Sequence, residues 1–128
     1  MIRKALKHEF NSVSGLSGKV FPVKAQEGTE APYLTYQLQD NERHRVQNGF
    51  DGLVDIEFEI DIFHSTYASL VALKNLVIAK VKTFQNSSIG TEGLYCQSVI
   101  IDDEFEEWDE DTNLYHGQIT IILSYNEN

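Results

Sequence analysis

Apolar and acidic residues alternate along residues 53–63, which read Leu-Val-Asp-Ile-Glu-Phe-Glu-Ile-Asp-Ile-Phe. Successive side chains of a β-strand point to opposite faces, so this segment predicts a strand with one apolar and one anionic face. The apolar positions are Val54, Ile56, Phe58, Ile60 and Ile62, and the anionic positions are Asp55, Glu57, Glu59 and Asp61. We expect the apolar face to pack in the core and the anionic face to stay uncovered.

Apolar residues at helical spacing predict two helices, one before and one after this strand. The first is a short amphipathic helix over residues 2–13, which ends at Ser14-Gly15. The second is the main, long helix over residues 66–84, with Ser65 as its N-cap. Both carry an apolar surface that needs a sheet to cover it.

Further strands are predicted at residues 19–23, 33–39, 94–101 and 114–125. We expect residues 40–52 to form a loop or a long hairpin tip, and the acidic residues 102–111 to form a solvated hairpin loop. The order of helix, strands, helix and strands predicts an α+β fold, in which both helices cover one face of an antiparallel sheet. The length suits a single domain over residues 1–128.

The formal net charge of −10 is distributed unevenly along the chain. All ten Lys and Arg lie between Arg3 and Lys82, whereas residues 83–128 contain ten acids and no Lys or Arg. Binding along a nucleic-acid backbone depends on cations that displace phosphate counterions. The composition therefore argues against adhesive binding to DNA.

The single cysteine, Cys96, excludes an intramolecular disulfide and any metal site with two cysteine ligands from one chain. No run approaches the roughly 18 apolar residues of a membrane span, and the basic N-terminus lacks the apolar region of a signal peptide. We expect a soluble protein, made in a reducing cytoplasm, with no membrane partner.

The usual catalytic and cofactor-binding motifs are missing, so we expect no enzyme, no cofactor and no metal. The carboxylates of residues 55–61 have a spacing that glycosidases use, but an evenly spaced open row lacks the required asymmetry of pKa. His64 and His116 could approach each other if their strands pair, and a metal site would then need a carboxylate such as Asp61, but polar residues at strand ends are the simpler explanation. Residues 102–111 lack the central glycine of a calcium loop.

Four segments, in their order along the chain, form a recognisable pattern. They are Val20-Phe21-Pro22, Ala31-Pro32-Tyr33-Leu34-Thr35-Tyr36, the alternating strand that runs through Phe63 into Ser65-Thr66-Tyr67, and Asn113-Leu114-Tyr115-His116-Gly117. This pattern resembles the tail-completion (tail-terminator) proteins of long-tailed bacteriophages. The resemblance extends from about Leu6 to Tyr125 and is one of pattern and length, without an invariant motif.

The resemblance implies a small α+β protein without catalytic residues or cofactors. Such proteins assemble as rings, typically hexameric, at the head-proximal end of the tail tube, where they stop tube growth and join the filled head. Their partners are further copies of themselves, the tail-tube protein and head-connector proteins, and DNA passes through the hole without specific binding. The expected locations are the host cytoplasm during assembly and then the head–tail junction of the virion.

Within such a ring, Asp55, Glu57, Glu59 and Asp61 are our candidates for the DNA-channel lining, because a negative lumen repels the duplex. The resemblance itself does not assign these positions. We also predict that a basic cluster and an acidic stretch of opposite sign meet between neighbouring subunits or contact a partner ring. The basic cluster is Arg43, His44 and Arg45, and the acidic stretch includes Phe105, Trp108, Asp109, Glu110 and Asp111.

Other interpretations of the sequence remain open. The two charged segments are equally explained as solvated loops. Another head–tail connector subunit, such as an adaptor or stopper, would fit the same pattern. A small cytoplasmic binding domain is a different class, and an enzyme that uses the strand carboxylates comes last.

Overall fold

A computed structural model describes the backbone of residues 2–46 and 49–126, and the side chains of residues 2–42 and 52–126. The described residues form two helices and six strands. They are α1 (Ile2–Asn11), β1 (Val20–Pro22), β2 (Tyr33–Val46), β3 (Gly49–His64), α2 (Tyr67–Lys82), β4 (Ser87–Ile89), β5 (Leu94–Asp109) and β6 (Leu114–Asn126). Neither helix in these ranges has the length and hydropathy of a membrane span.

The six strands form one sheet in the order β1-β2-β3-β6-β5-β4. Neighbouring strands are antiparallel, apart from β1 and β2, which run parallel. The predicted α+β fold is confirmed, but the sheet is mixed rather than purely antiparallel. The prediction of one long helix is not supported, because α2 has 16 residues and is no longer than β3 or β5.

One hydrophobic core joins both helices to the same face of the sheet. Leu6 and Phe10 of α1 and Leu70 of α2 are fully buried with the central residues of β3, of which Phe58 is one. Burial of this apolar surface is what fixes the helices on the sheet. The N-cap of α2 is Thr66 rather than the predicted Ser65, because the Thr66 side chain accepts the Ser69 N–H.

The described residues within 40–52 form the long hairpin tip that was one of our two expectations, whereas most of residues 102–111, which we predicted as a solvated loop, are strand. β2 continues to Val46 and β3 begins at Gly49, so residues 40–52 extend a hairpin whose two central residues lie outside the described part. β5 continues to Asp109, and only residues 110–113 form the turn to β6. These extensions have no apolar face, so periodicity does not reveal them, whereas pairing with a long neighbouring strand holds them in place.

Candidate functional site

The predicted division of β3 into two faces is confirmed. Val54, Phe58 and Ile60 are fully buried beneath the helices, and the four carboxylates point to the other side of the sheet. We call this other side the acidic face. The pairing register places Asp40 and Glu42 of β2 beside these carboxylates, and the same face then continues across β6 to β5.

The acidic face is wider than the sequence suggested. On β5 it includes Asp103, Glu107 and Asp109, which the register aligns with the outward residues of β6. Lys and Arg are absent from β3, β5 and β6 and from residues 33–42 of β2. Carboxylates from three strands thus form one negative surface, and those segments contain no ammonium or guanidinium group to neutralise it.

The carboxylates of β3 are not an open, evenly spaced row as we had expected. Asp61 is buried, with 9% of its surface exposed, and the other three are half-buried. The Ser124 hydroxyl donates a hydrogen bond of 2.5 Å to Asp55. His116 Nε2 lies 2.5 Å from Asp61 Oδ1. Side chains of β6 therefore hold the two end members of the row in place.

His116 stands between two carboxylates and forms the centre of a charged group, the His116 cluster, which comprises Glu59, Asp61, Glu107 and His116. Its Nε2 faces Asp61, and its Nδ1 lies 3.1 Å from Glu107 Oε1. Burial alone would lower the pKa of His116, but the hydrogen bonds and charges of both carboxylates outweigh it and raise the pKa. Because both ring nitrogens can donate, the imidazolium is the form that suits this geometry.

Glu59 is the member of the row that differs most from an ordinary carboxylate. Burial, together with a hydrogen bond to Asp61 and the charge of Asp61, raises the pKa of Glu59 to about 7. Gln118 and His116 oppose this effect only in part. Glu59 thus changes its protonation near neutral pH, and the charge of the acidic face depends on pH in that range.

A cleft of about 510 Å³ opens on the acidic face beside the His116 cluster. Part of the loop between β1 and β2 forms one wall, and Glu59 and Asp61 belong to its lining. Stacked rings form another wall: Phe63 lies 4.6 Å from His116 and 4.9 Å from Tyr33, measured between ring centroids. The cleft therefore combines apolar rings with titratable oxygens.

His64 and His116 do not approach each other, although their strands pair, so the metal site that we considered less favourable than polar residues at strand ends does not form there. Phe63, the neighbour of His64, pairs with His116, so the two histidines point to opposite faces of the sheet. Nδ1 of His64 accepts the Ser65 N–H. Within residues 2–46 and 49–126, no group of three or more His, Cys, Asp and Glu side chains has an arrangement that could hold a metal ion.

The predicted interface residues lie on different surfaces. Phe105 is on the acidic face, where its ring meets that of His116 edge-on, whereas Trp108 is on the helix side against Tyr115. Both are exposed by more than 40%. Asp109 ends β5, and the following turn contains Glu110 and Asp111. Arg43, His44 and Arg45 belong to β2, but their side chains lie outside the described part.

The helix side of β5 carries a second charged group that sequence reasoning missed. Lys74 of α2 is 5% exposed, and its Nζ lies 2.9 Å from Glu106 and 3.8 Å from Glu104. The Tyr67 hydroxyl also donates to Glu106 at 2.7 Å. Acids of β5 that we assigned to a solvated loop therefore fasten α2 to the sheet. No single-sequence signal links residues this far apart.

No protein-family model and no curated protein sequence matches this chain. Among solved structures, the fold is similar to that of a chain in the virion of a native gene transfer agent (GTA) particle. The TM-score is 0.64 at 11% sequence identity, and the alignment covers 95% of this chain and 92% of that chain. At this identity the likeness shows a shared fold over almost the full length of both chains.

Proposed function

We propose that this protein is a structural component of a phage-like virion, and more specifically a tail terminator. In this role, copies form a ring that caps the head-proximal end of the tail tube and joins the tail to the head. DNA passes through the hole of the ring. The protein performs no bond-making chemistry in this proposal and needs no cofactor.

The observation that carries the proposal is the acidic face. It spans β2, β3, β6 and β5, lies opposite the helices, and has no Lys or Arg in residues 33–42, β3, β5 or β6. A surface that lines a DNA passage without holding the DNA should repel phosphates, because cations there would form contacts that slow the movement. A sheet covered by helices on one side leaves this face as the one available to a lumen.

Two further observations support a role in a virion. The chain shares its fold, over almost its whole length, with a chain of a GTA virion. The order of its segments also resembles the tail-completion proteins, an inference made from residues without reference to the fold. Because fold alone does not define function, the acidic face is what favours the specific role of a terminator.

The test is inactivation of the gene in the strain that produces the particles, followed by electron microscopy and by complementation with the intact gene. Loss of a terminator should give tails of uncontrolled, excessive length that carry no heads, because nothing stops growth of the tube. Complementation should restore uniform tails joined to heads.

Different defects would point elsewhere. Tails of normal length beside unjoined heads would identify an adaptor or stopper and overturn the terminator assignment. Normal, infectious particles would overturn any structural role in the virion. The defect therefore separates the specific proposal from the broader one.

A small binding domain is the second candidate, and the cleft beside the His116 cluster is the observation that favours it. Its volume of about 510 Å³ lies within the range of small-molecule sites, and stacked rings with a few polar groups are typical of such sites. Light scattering after size-exclusion chromatography separates the candidates: a ring supports the terminator. A protein that is monomeric in solution but is found at the end of the tail in complemented particles also supports the terminator. A monomer that is absent from the particles supports the binding domain.

A further inference from the structure

Both outer strands of the sheet are short and leave most of their neighbours uncovered. β1 pairs with β2 only from Leu34 to Tyr36, and β4 pairs with β5 only from Leu94 to Cys96. Among the described strands, none pairs with the outer side of β2 over residues 37–46 or of β5 over residues 100–109. The intervening residues 97–99 of β5 are bonded by the Gln85 side chain.

We propose that the open edge of β2 in one copy of this chain pairs with the open edge of β5 in the next copy. The sheet then continues from subunit to subunit, and the acidic face becomes the wall of the hole. This inference rests on the proposed ring and adds its interface. Addition of a strand to an exposed edge is a common mode of association, since it satisfies backbone N–H and C=O groups.

Strand direction agrees with this pairing. β2, β3, β6 and β5 are antiparallel in turn, so β2 and β5 run in opposite directions. All copies in a ring have the same orientation along its axis. The β5 strand of one copy therefore meets the β2 strand of its neighbour in antiparallel orientation. The alternation of strand direction within the sheet thus continues across the interface. Because the two edges differ, the contact is heterologous and closes by rotation.

The two open edges are also offset along the strands in the way that a closed barrel needs. Asn41, near the middle of one edge, is level with Ile56 of β3, and Glu104, near the middle of the other, is level with Ile60. This offset of four residues corresponds to roughly 13 Å along the strands, and the four long strands of one copy span roughly 19 Å across the sheet. The resulting tilt of roughly 35° to the ring axis lies within the 35–45° that is typical of barrels.

Charge favours pairing between unlike edges over pairing between like ones. Residues 100–109 of β5 contain six carboxylates and no cation, so two β5 edges repel each other. Residues 37–46 of β2 contain Arg43 and Arg45 beside two acids. This deepens the sequence prediction that the basic cluster meets the acidic stretch between neighbours, because both segments are now strands with open edges on opposite sides of the sheet.

Each open edge also contains a local irregularity that hinders uncontrolled strand pairing by the free subunit. A β-bulge follows Leu38 in β2 and Ile101 in β5. Directly after each bulge, an aspartate accepts the N–H of the next residue: Asp40 that of Asn41, and Asp103 that of Glu104. Bulges and charged side chains on an edge strand are known ways to limit unregulated pairing of sheet edges. They would keep the free chain from forming open-ended aggregates before assembly.

The test uses a pair of cysteines placed on the acidic face near the middle of each edge, Glu42→Cys with Phe105→Cys. Purified protein over a concentration series, and particles complemented with the same variant, are treated with a short bismaleimide and run on denaturing gels. A heterologous interface predicts a ladder of dimers, trimers and larger species. Each single variant should give only the monomer band on the gel, because its cysteine has no cysteine of the neighbouring copy within reach of the cross-linker. Because the native Cys96 is fully buried, the protein without added cysteines is the control for background cross-linking.

A matched control keeps Phe105→Cys and moves its partner to α2, as Ala79→Cys, which is also exposed. This pair should give no ladder. A ladder from the control pair, dimers from either single variant, or no ladder in particles that form normally would overturn the edge pairing. The gene-inactivation experiment tests the function separately from this interface. Tails of uncontrolled length together with the absence of a ladder would support the terminator function and reject the edge pairing. A ladder together with normal particles after inactivation would support the edge pairing and reject the terminator function.

Discussion

The two faces of β3 differ although their residues alternate along one strand. On the helix side, Phe58 and its apolar neighbours are fully buried, and packing dictates which residues fit. On the acidic face, Glu57 and Glu59 are half-buried, with carboxylates of β2 on the neighbouring strand. Folding alone gives no reason for so many like charges. One face therefore stabilises the fold, whereas the other carries carboxylates whose number the stability of the fold does not explain.

The sharpest contrast should come from two neighbouring residues of β3. Phe58→Ala should lower the free energy of unfolding by about 3–5 kcal/mol, because it removes a fully buried ring and leaves a cavity. Glu57→Ala should change it by about 0.5 kcal/mol or less, as is usual for a surface position. Urea denaturation of both variants measures the difference. Similar losses for the two would show that the acidic face is also a structural surface.

The next largest effect should occur where α1 touches the loop after β4. Gly90 has φ of +74°, and a Cβ there would lie 2.7 Å from Ala5 Cβ and 2.8 Å from Ala5 Cα. Gly90→Ala should cost about 2–4 kcal/mol, from the left-handed backbone and from overpacking. Gly28 has φ of +84° and nothing nearby, so Gly28→Ala should cost only about 1 kcal/mol. Equal losses by thermal denaturation would contradict the close packing of α1.

How much the sequence could predict differs between the two faces in the same way. Period-two alternation identified the apolar row of β3 and its anionic side, because burial imposes that pattern. Alternation could not reveal the strand character of residues 102–109, since no apolar face accompanies it there. The His116 cluster depends on the register of three strands, which aligns Glu107 with His116 and brings Asp61 next to it. A single sequence carries no signal for that register.

On the acidic face, cations should affect DNA movement more than stability. Replacing Glu57 and Glu59 together by Lys should slow DNA release from particles by about tenfold, because each new ammonium can contact phosphate. The matched variant, with Gln at both positions, removes the same charges without adding cations and should release DNA at nearly the normal rate. Release triggered in vitro and followed by dye fluorescence measures both. Unchanged kinetics in the Lys variant would remove Glu57 and Glu59 from the channel lining.

The smallest effect should be a pH dependence of stability that originates in the His116 cluster. The pKa of Glu59 is raised from 4.5 to about 7, so the folded state holds a proton that the unfolded state has lost. Its contribution to stability is therefore present below about pH 4.5 and is lost as the pH rises through 7. The raised pKa of His116 acts in the same direction at higher pH.

Glu59→Gln should accordingly flatten the decrease in unfolding free energy between pH 4.5 and 7, and should stabilise the protein at pH 8 by about 1 kcal/mol or less after solvent screening. Glu57→Gln, on the same strand and face but outside the cluster, is the matched control. Denaturant titrations at several pH values measure the slope. A Glu59→Gln variant with the slope of the intact protein would show that Glu59 is not the titrating group.

The most direct test of the central claim is a cryo-electron microscopy reconstruction of the head–tail joint in particles from the strain that encodes this chain. We predict a ring of this protein at the end of the tail tube, with the carboxylates of β3 lining the hole and α1 and α2 on the outside. A ring whose helices face the hole, or density for this chain elsewhere in the particle, would contradict the account.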